Sequence, residues 1–189
     1  AKDLVRMGVA KARLDQPLPQ QKIDVIPRCL VIGGGLAGMT SALELAEQGF
    51  EVYLVEKEKE LGGNLRRIQY TLESEDVQGK LREMISNVKS NELIHTFTGA
   101  VAKDISGFVG NFSTTISFDG REEKVDHGTI IVATGAKELK TSEYLYGKDK
   151  RVITQLELEE RIAKEEGIMV NNIVMIQCVG SRDDKRPYC

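Results

Sequence analysis

Two short apolar runs with a helical pattern between them form the first recognisable unit of the chain. The first run, 29–32, leads into three consecutive glycines, and the second, 52–55, ends in the acid Glu56. Between them, apolar residues recur at helical spacing until Gly49, a typical helix end. These positions are Met39, Ala42, Leu43 and Ala46. The pattern predicts a strand, a glycine turn, a helix and a second strand.

The pattern downstream predicts more of the same sheet and then a different one. Residues 77–90 read as a helix whose buried stripe is Leu81, Ile85 and Val88, and 93–98 fit a third parallel strand. From 99 to 125, apolar and polar residues alternate, and Asp119-Gly120 is a strong signal for a two-residue hairpin turn. We therefore expect a β-meander in place of the second crossover helix, which favours a flavin-binding protein over a simple dehydrogenase.

The two ends of the chain differ from its centre. Residues 1–14 predict an amphipathic helix that packs on the main body, and prolines make 15–27 a linker. After a polar loop at 137–150, we expect a helix at 154–166, capped by Thr154, and a buried strand at 172–179. No glycine fingerprint follows that strand. The predicted organisation is a helix and linker (1–27), a dinucleotide-binding domain (28–150) and an incomplete second domain (151–189).

The glycines after the first strand have the spacing G-x-G-x-x-G. Gly33 allows a tight turn, Gly35 lets a pyrophosphate approach the backbone, and Gly38 lets helix and strand pack closely. The helix N-terminus offers amide hydrogens and a partial positive charge to the phosphates. Glu56, at the end of the second strand, can accept hydrogen bonds from ribose hydroxyls and disfavours a 2′-phosphate. A lone glycine triplet could be a loop, but the strand, helix and acid together indicate a Rossmann-like dinucleotide site.

Two later segments are expected to approach the same ligand. Gly62 and Gly63 allow close backbone approach after the ribose-binding acid, and Asn64 with Arg66 or Arg67 supplies polar donors near the diphosphate or the flavin. The strand at 129–136 ends in the small residues Ala133, Thr134 and Gly135, at the carboxyl edge of the sheet. Together with the meander, this strand end is a second fingerprint of FAD binding.

Composition excludes several other kinds of site. The 189 residues suit one domain with a further fragment, and the formal charge of −3 gives no general attraction to nucleic acid or anionic lipid. No apolar run is long enough to span a membrane and no signal peptide is apparent, so we expect a soluble, cytoplasmic protein. Cys29, Cys178 and Cys189 form no C-x-x-C pair, and the first two read as small buried thiols. His95, in a predicted strand, and His127, in a predicted turn, are positions where a histidine is more often structural, so neither is assigned a role, and no side chain is predicted to be catalytic or to bind a metal.

Three stretches of the chain carry a family resemblance: RMGVAKARL, VIGGGLAGMTSALELAEQGFEVYLVEKEKELGGNLR and QCVGSRDDKRPYC. They resemble the A-type subunit of the CoB–CoM heterodisulfide reductases, which is the FAD-containing iron–sulfur subunit. The resemblance implies a thioredoxin-reductase-like FAD domain within a longer subunit that also contains [4Fe–4S] clusters. It implies as partners the B and C subunits, which reduce the heterodisulfide, and an electron-donating hydrogenase or dehydrogenase. The cluster-ligating cysteine groups are missing here, and Cys189 stands where a cysteine-rich run begins in the family, so we expect a truncated piece without clusters.

The resemblance also assigns cofactor contacts residue by residue. It places Gly33, Gly35, Leu36, Ala37 and Gly38 at the FAD pyrophosphate. It places Glu56 at the ribose with Lys57 beside it, and Gly63, Asn64 and Leu65 along the diphosphate toward the isoalloxazine. Val101 would meet the adenine through its backbone, and Thr134, Gly135 and Ala136 would close over the cofactor.

Three functions remain open at this point. The first is a redox subunit in which FAD is the electron carrier, since flavin chemistry belongs to the cofactor and the protein positions it. The second is the same domain in a related sulfur-metabolism or quinone-linked complex. The third is a catalytically silent module that holds FAD weakly or not at all.

Overall fold

The computed structural model of the protein describes residues 1–17, 20, 22–73, 75–164, 170–182, 184–185 and 187. Its α-helices are α1 (Lys2–Leu14), α2 (Leu36–Glu47), α3 (Val77–Ser90) and α4 (Gln155–Ala163), with 3₁₀ helices at Gly63–Arg67 and Glu143–Leu145. Its strands are β1 (Arg28–Ile32), β2 (Glu51–Glu56), β3 (Ile94–Thr98), β4 (Ala100–Phe108), β5 (Asn111–Phe118), β6 (Arg121–His127) and β7 (Thr129–Val132).

A four-stranded parallel sheet in the order β3-β2-β1-β7 forms the centre of the fold. Ile32 of β1 pairs with Val55 of β2 on one side and with Val132 of β7 on the other, so these strands end at the same edge. Helices α2 and α3 cover one face, where the core contains Val31, Met39, Ala42, Val52, Leu54, Leu81 and Val88. The predicted βαβ unit, the helix at 77–90 and the third parallel strand are confirmed.

The opposite face of the parallel sheet is covered by the antiparallel meander β4-β5-β6. Its inward side chains, Ala100, Ile116 and Val125, pack with Leu30, Tyr53 and Val55. Asp119 and Gly120 both have positive φ, 47° and 73°, as a type I′ hairpin turn requires. The predicted meander is therefore confirmed, and it connects β3 to β7 without a crossover helix.

His127 connects the meander to the parallel sheet, and it lies at the end of β6 rather than in a turn. The side chain is fully buried and stacks on Phe112. Its Nδ1 lies 3.0 Å from the Thr129 carbonyl oxygen, which can only accept, so Nδ1 carries the proton and Nε2 accepts from the Thr114 hydroxyl at 2.8 Å. Burial lowers the pKa of His127 below its usual value. The ring is thus a neutral structural link.

Three expectations about the ends of the chain are wrong. Helix α1 forms, but none of its residues is buried. An amphipathic pattern determines which side of a helix is apolar, but it does not determine whether another part of the chain packs against that side. The predicted strand at 172–179 is irregular and exposed over 172–177, since a strand requires a hydrogen-bonded neighbour and it pairs with none in the described part of the chain. Cys178 is consequently exposed instead of buried. Cys189 lies outside the described residues.

Two details of the remaining segments also differ from prediction. Strand β7 ends at Val132, so residues 133–136 form a loop beyond the strand. The 3₁₀ helix Gly63–Arg67 replaces a plain loop. Helix α4 begins with the predicted capping box, in which Thr154 and Glu157 bond each other's backbone amides, and it is described as far as Ala163. Residues 165 and 166 of the predicted helix lie outside the described residues.

Candidate functional site

The three motif glycines of the turn between β1 and α2 differ in how much space surrounds them. Gly33 has φ +111°, and a Cβ there would lie 2.3 Å from the Ala133 carbonyl oxygen. A Cβ on Gly38 would lie 1.8 Å from the Gly33 carbonyl oxygen, so only glycine lets the helix start this close to the strand. Gly35 is different: it caps α2, and no described atom lies within 4 Å of its Cβ position. The turn therefore has free space beside Gly35, at the N-terminus of α2.

Glu56 holds the glycine turn against the end of β2. Its Oε2 accepts the Gly34 amide at 2.6 Å, and its Oε1 accepts the Glu58 amide at 2.9 Å. The residue is 6% exposed. Carboxylate oxygens have two lone pairs each, so both can still accept from a ribose hydroxyl. Gly34 was not among the predicted site residues, although its place in the glycine triplet could have suggested it.

A second segment, 62–65, lies directly against the turn. The Gly62 amide donates to the Gly34 carbonyl oxygen at 2.7 Å, and Gly35 and Gly62 form an isolated parallel bridge. Gly63 has φ +51°, and a Cβ on it would lie 3.2 Å from the Gly35 Cα. The paired glycines thus allow a backbone-to-backbone contact with the turn, while their predicted approach to a ligand stays a prediction.

A third segment, 133–136, completes the arrangement. The Ala133 amide donates to the Ile32 carbonyl oxygen at 2.8 Å, which keeps this loop beside the end of β1. Asn64 Nδ2 donates to the Ala136 carbonyl oxygen at 2.8 Å and joins the second segment to the third. We refer to residues 33–38, 62–65 and 133–136 together as the three-segment frame.

The remaining predicted residues lie near the same edge of the sheet. Lys57 is exposed directly after Glu56. The Gly99 amide donates to the Glu58 carbonyl oxygen at 2.8 Å, which brings the start of β4, with the half-exposed Val101, close to the end of β2. Within the frame, Leu36, Ala37, Thr134, Gly135 and Ala136 are exposed, while Leu65 is half-buried. The structure thus gathers every predicted cofactor residue along one edge.

An ion-pair cluster lies beyond the third segment and was missed by sequence reasoning. Arg67 Nε contacts Glu160 Oε1 at 2.9 Å, and its Nη1 lies 3.7 Å from Glu138. The Gln69 amide donates to Glu159 at 2.6 Å. These contacts connect the 3₁₀ helix to α4 across about ninety residues of chain, a separation that local patterns cannot reveal. Arg67 is therefore occupied by carboxylates, and Arg66 likewise pairs with Glu60.

Glu157 is the most strongly perturbed acid of this region. The Thr154 backbone amide and the Tyr146 hydroxyl both donate to it, and Lys140 lies 3.0 Å away, which together lower its pKa to about 2. Its charge completes the N-terminal cap of α4. The charged residues around the start of α4 therefore have a structural role.

The chain matches one protein family over most of its length, residues 27–176, described as pyridine nucleotide-disulphide oxidoreductase. The chain belongs to this family. The predicted fold class, a Rossmann-like domain with a parallel sheet and a meander, is confirmed by the match and by the architecture. Membership also makes the chain part of an oxidoreductase family, as the sequence indicated.

Within the pyridine nucleotide-disulphide oxidoreductases, curated relatives include an iron-sulfur A-type subunit of the CoB–CoM heterodisulfide reductase of Methanopyrus kandleri, 31% identical over 275 residues. The A-type subunit of the H(2):CoB-CoM heterodisulfide,ferredoxin reductase of Methanothermobacter thermautotrophicus is 29% identical over 282 residues. The matches cover 96% and 100% of this chain but 41% and 43% of the relatives. Both matches are longer than the 189 residues of the chain, so these relatives carry insertions. The predicted resemblance to the A-type subunit of heterodisulfide reductase is confirmed.

Among solved structures, L-proline dehydrogenase from P. horikoshii resembles this chain in fold. It is 25% identical, has a TM-score of 0.51, and the match covers 61% of this chain and 24% of that protein. Of the helices in the described ranges, none has the length and apolar character needed to cross a membrane. Those ranges also contain no group of three His, Cys, Asp or Glu residues arranged to hold a metal.

Proposed function

We propose that this chain binds FAD at the three-segment frame and forms the flavin-carrying portion of an oxidoreductase related to the A-type subunit of heterodisulfide reductase. The observation that carries the proposal is the open side of Gly35 in front of the α2 N-terminus, with the Glu56 carboxylate beside it. A diphosphate needs bare amides and a positive dipole, and an adenosine ribose needs an acceptor at the end of β2.

The residues present fit the whole cofactor. Gly33, Gly35, Leu36, Ala37 and Gly38 would hold the pyrophosphate, and Glu56 with Lys57 would hold the ribose side. Gly62, Gly63, Asn64 and Leu65 would follow the diphosphate toward the ring, Val101 would contact the adenine, and Ala133, Thr134, Gly135 and Ala136 would close over the cofactor. A bound flavin supplies electron transfer in pairs or singly, and the chain's role is to bind and orient it.

In the longer protein, we propose that the flavin passes electrons between a donor and [4Fe–4S] clusters carried outside this chain. The relatives' names, which call them subunits of a heterodisulfide reductase, support a heterodisulfide as the acceptor and a multi-subunit complex. By the family resemblance, we propose B and C subunits and an electron-donating hydrogenase or dehydrogenase as the partners. The chain spans less than half of those relatives, so we expect it to bind flavin without catalysing heterodisulfide reduction alone.

The test is cofactor binding by the purified chain. We expect FAD and ADP to bind, FMN to fail because it lacks the adenosine half, and the bound FAD to show the visible absorption of oxidised flavin. Glu56→Ala should weaken both FAD and ADP at least tenfold, whereas Glu44→Ala, which removes an exposed acid on α2, should not. A chain that binds neither FAD nor ADP, or an unchanged affinity in Glu56→Ala, contradicts the proposal.

A further inference from the structure

The three-segment frame is closed by two kinds of contact. The turn meets the second segment through backbone, by the Gly62 amide and the Gly34 carbonyl oxygen. The end of β1, which leads into the turn, meets the third segment through backbone as well, by the Ala133 amide and the Ile32 carbonyl oxygen. The second and third segments meet through one side chain, because Asn64 Nδ2 donates to the Ala136 carbonyl oxygen at 2.8 Å. The first two contacts therefore need only the backbone, whereas the contact between the second and third segments depends on which side chain stands at position 64.

We propose that Asn64 is a positioning residue that fixes the place of the ring half of the bound flavin by holding residues 133–136 against 62–65. The inference rests on the proposed FAD function and gives this side chain a role that its contact with Ala136 supports directly. A donor is required because Ala136 offers a carbonyl oxygen; the asparagine amide donates to it, whereas an ionised aspartate at position 64 could not.

The third segment needs this support because, among the hydrogen bonds in the described part of the chain, Asn64 makes the one contact to its last residue, and the next tie is the ion pair of Arg67 with Glu138. Its first residue, Ala133, is anchored to Ile32, but Thr134, Gly135 and Ala136 are exposed and Gly135 has φ +63°. Glycine contributes backbone freedom, so the loop can change direction there. Loss of the Asn64 bond would leave residues 134–136 held by the Ala133 amide at one end and, beyond the other, by the longer contact of Arg67 with Glu138 at 3.7 Å.

The adenosine half of the ligand should not depend on Asn64. Glu56 reaches the turn through Gly34, and Gly62 reaches it through the Gly34 carbonyl oxygen, so both contacts are independent of the Asn64 side chain. ADP, which contains the adenosine and diphosphate but no ring, therefore serves as an internal reference for the intact turn.

The experiment compares Asn64→Ala and Asn64→Asp with Asn111→Ala in the same chain. Asn111 is a matched control because its Nδ2 also donates to a distant backbone carbonyl, that of Asp24, at 2.7 Å, and it lies at the base of the meander. FAD and ADP affinities are measured by titration, and the ring environment by visible circular dichroism of bound FAD. We expect both Asn64 variants to lose about fivefold in FAD affinity, the loss of one hydrogen bond, and to alter the flavin dichroism, with a smaller loss of ADP affinity because ADP lacks the ring half.

The outcomes separate the two proposals. If the unaltered chain binds neither FAD nor ADP, the proposed function itself fails. If it binds both, and Asn64→Ala binds FAD with unchanged affinity and dichroism, the positioning role is refuted while the function stands. An equal loss of FAD and ADP affinity, or an equal effect of Asn111→Ala, would also refute it, because either result indicates a general weakening of the fold.

Discussion

Gly38→Ala tests whether the first turn of α2 is packed against the strand end as tightly as the structure shows. A Cβ on residue 38 would lie 1.8 Å from the Gly33 carbonyl oxygen, against the 3.0 Å below which such contacts are essentially never found. The two atoms must therefore separate by about 1.2 Å. Both belong to backbone or are fixed to it, so no side-chain rotation can relieve the contact, and helix and strand have to move apart.

The magnitude follows from two opposing effects. Overpacking of this kind costs about 1–3 kcal/mol. Alanine regains at most about 1 kcal/mol of helix propensity relative to glycine. The difference spans about 0–3 kcal/mol, and the 1.8 Å approach of two backbone-fixed atoms puts this site in its upper part. We therefore expect the free energy of unfolding to fall by about 2–3 kcal/mol, which for a chain of this size lowers the Tm by about 4–12 °C.

The assay is urea unfolding of the cofactor-free chain, followed by circular dichroism, with two matched glycine variants. Gly8→Ala, in exposed α1, and Gly35→Ala meet no described atom within 4 Å, so neither should destabilise the fold. Gly35→Ala should nevertheless weaken FAD binding, because its methyl group projects where the diphosphate approaches. A Gly38→Ala chain as stable as the unaltered one would refute the close packing of turn and helix.

Two further predictions concern buried titratable groups. Because burial lowers the pKa of His127, the folded chain disfavours the protonated ring, so the free energy of unfolding should fall as pH drops below about 6.5, by at most about 1.4 kcal/mol per unit, and level off below the folded-state pKa. Urea unfolding at several pH values should show this dependence reduced in His127→Gln; an identical dependence in both chains would contradict it. Burial also raises the pKa of the Cys29 thiol to about 11. At pH ~8, where an ordinary thiol is partly ionised, a thiol reagent should modify exposed Cys178 in the native chain and Cys29 only after unfolding, as peptide mass spectrometry can show; rapid native labelling of Cys29 would contradict its burial.

The centre of the fold could be predicted because its signals are local. The glycine spacing after β1, the helical period of α2 and the acid ending β2 each occur within a few residues, and all three have a direct steric or electrostatic reason. The Asp119-Gly120 turn is likewise determined by two residues that tolerate positive φ. These short-range requirements were enough to predict the fold class, and they also indicate where the candidate site lies.

The features that sequence reasoning missed depend on distant parts of the chain. The pairing of Asn64 with Ala136 and of Arg67 with Glu160 joins residues that no periodic pattern relates. The apolar segment 172–177 has the composition of a strand, but composition cannot provide the neighbouring strand on which its hydrogen bonds depend. The same limit applies to α1, whose pattern fixed its apolar side but not what would cover it.

The three-segment frame also has a consequence for biosynthesis. Its first segment is made early, but the loop that begins at Ala133 emerges only after the entire meander has been translated. A nascent chain that has reached β3 already carries the glycine turn, yet it lacks the wall contributed by residues 133–136. A cofactor that binds the frame as proposed would therefore meet the complete site only after β7 has been synthesised.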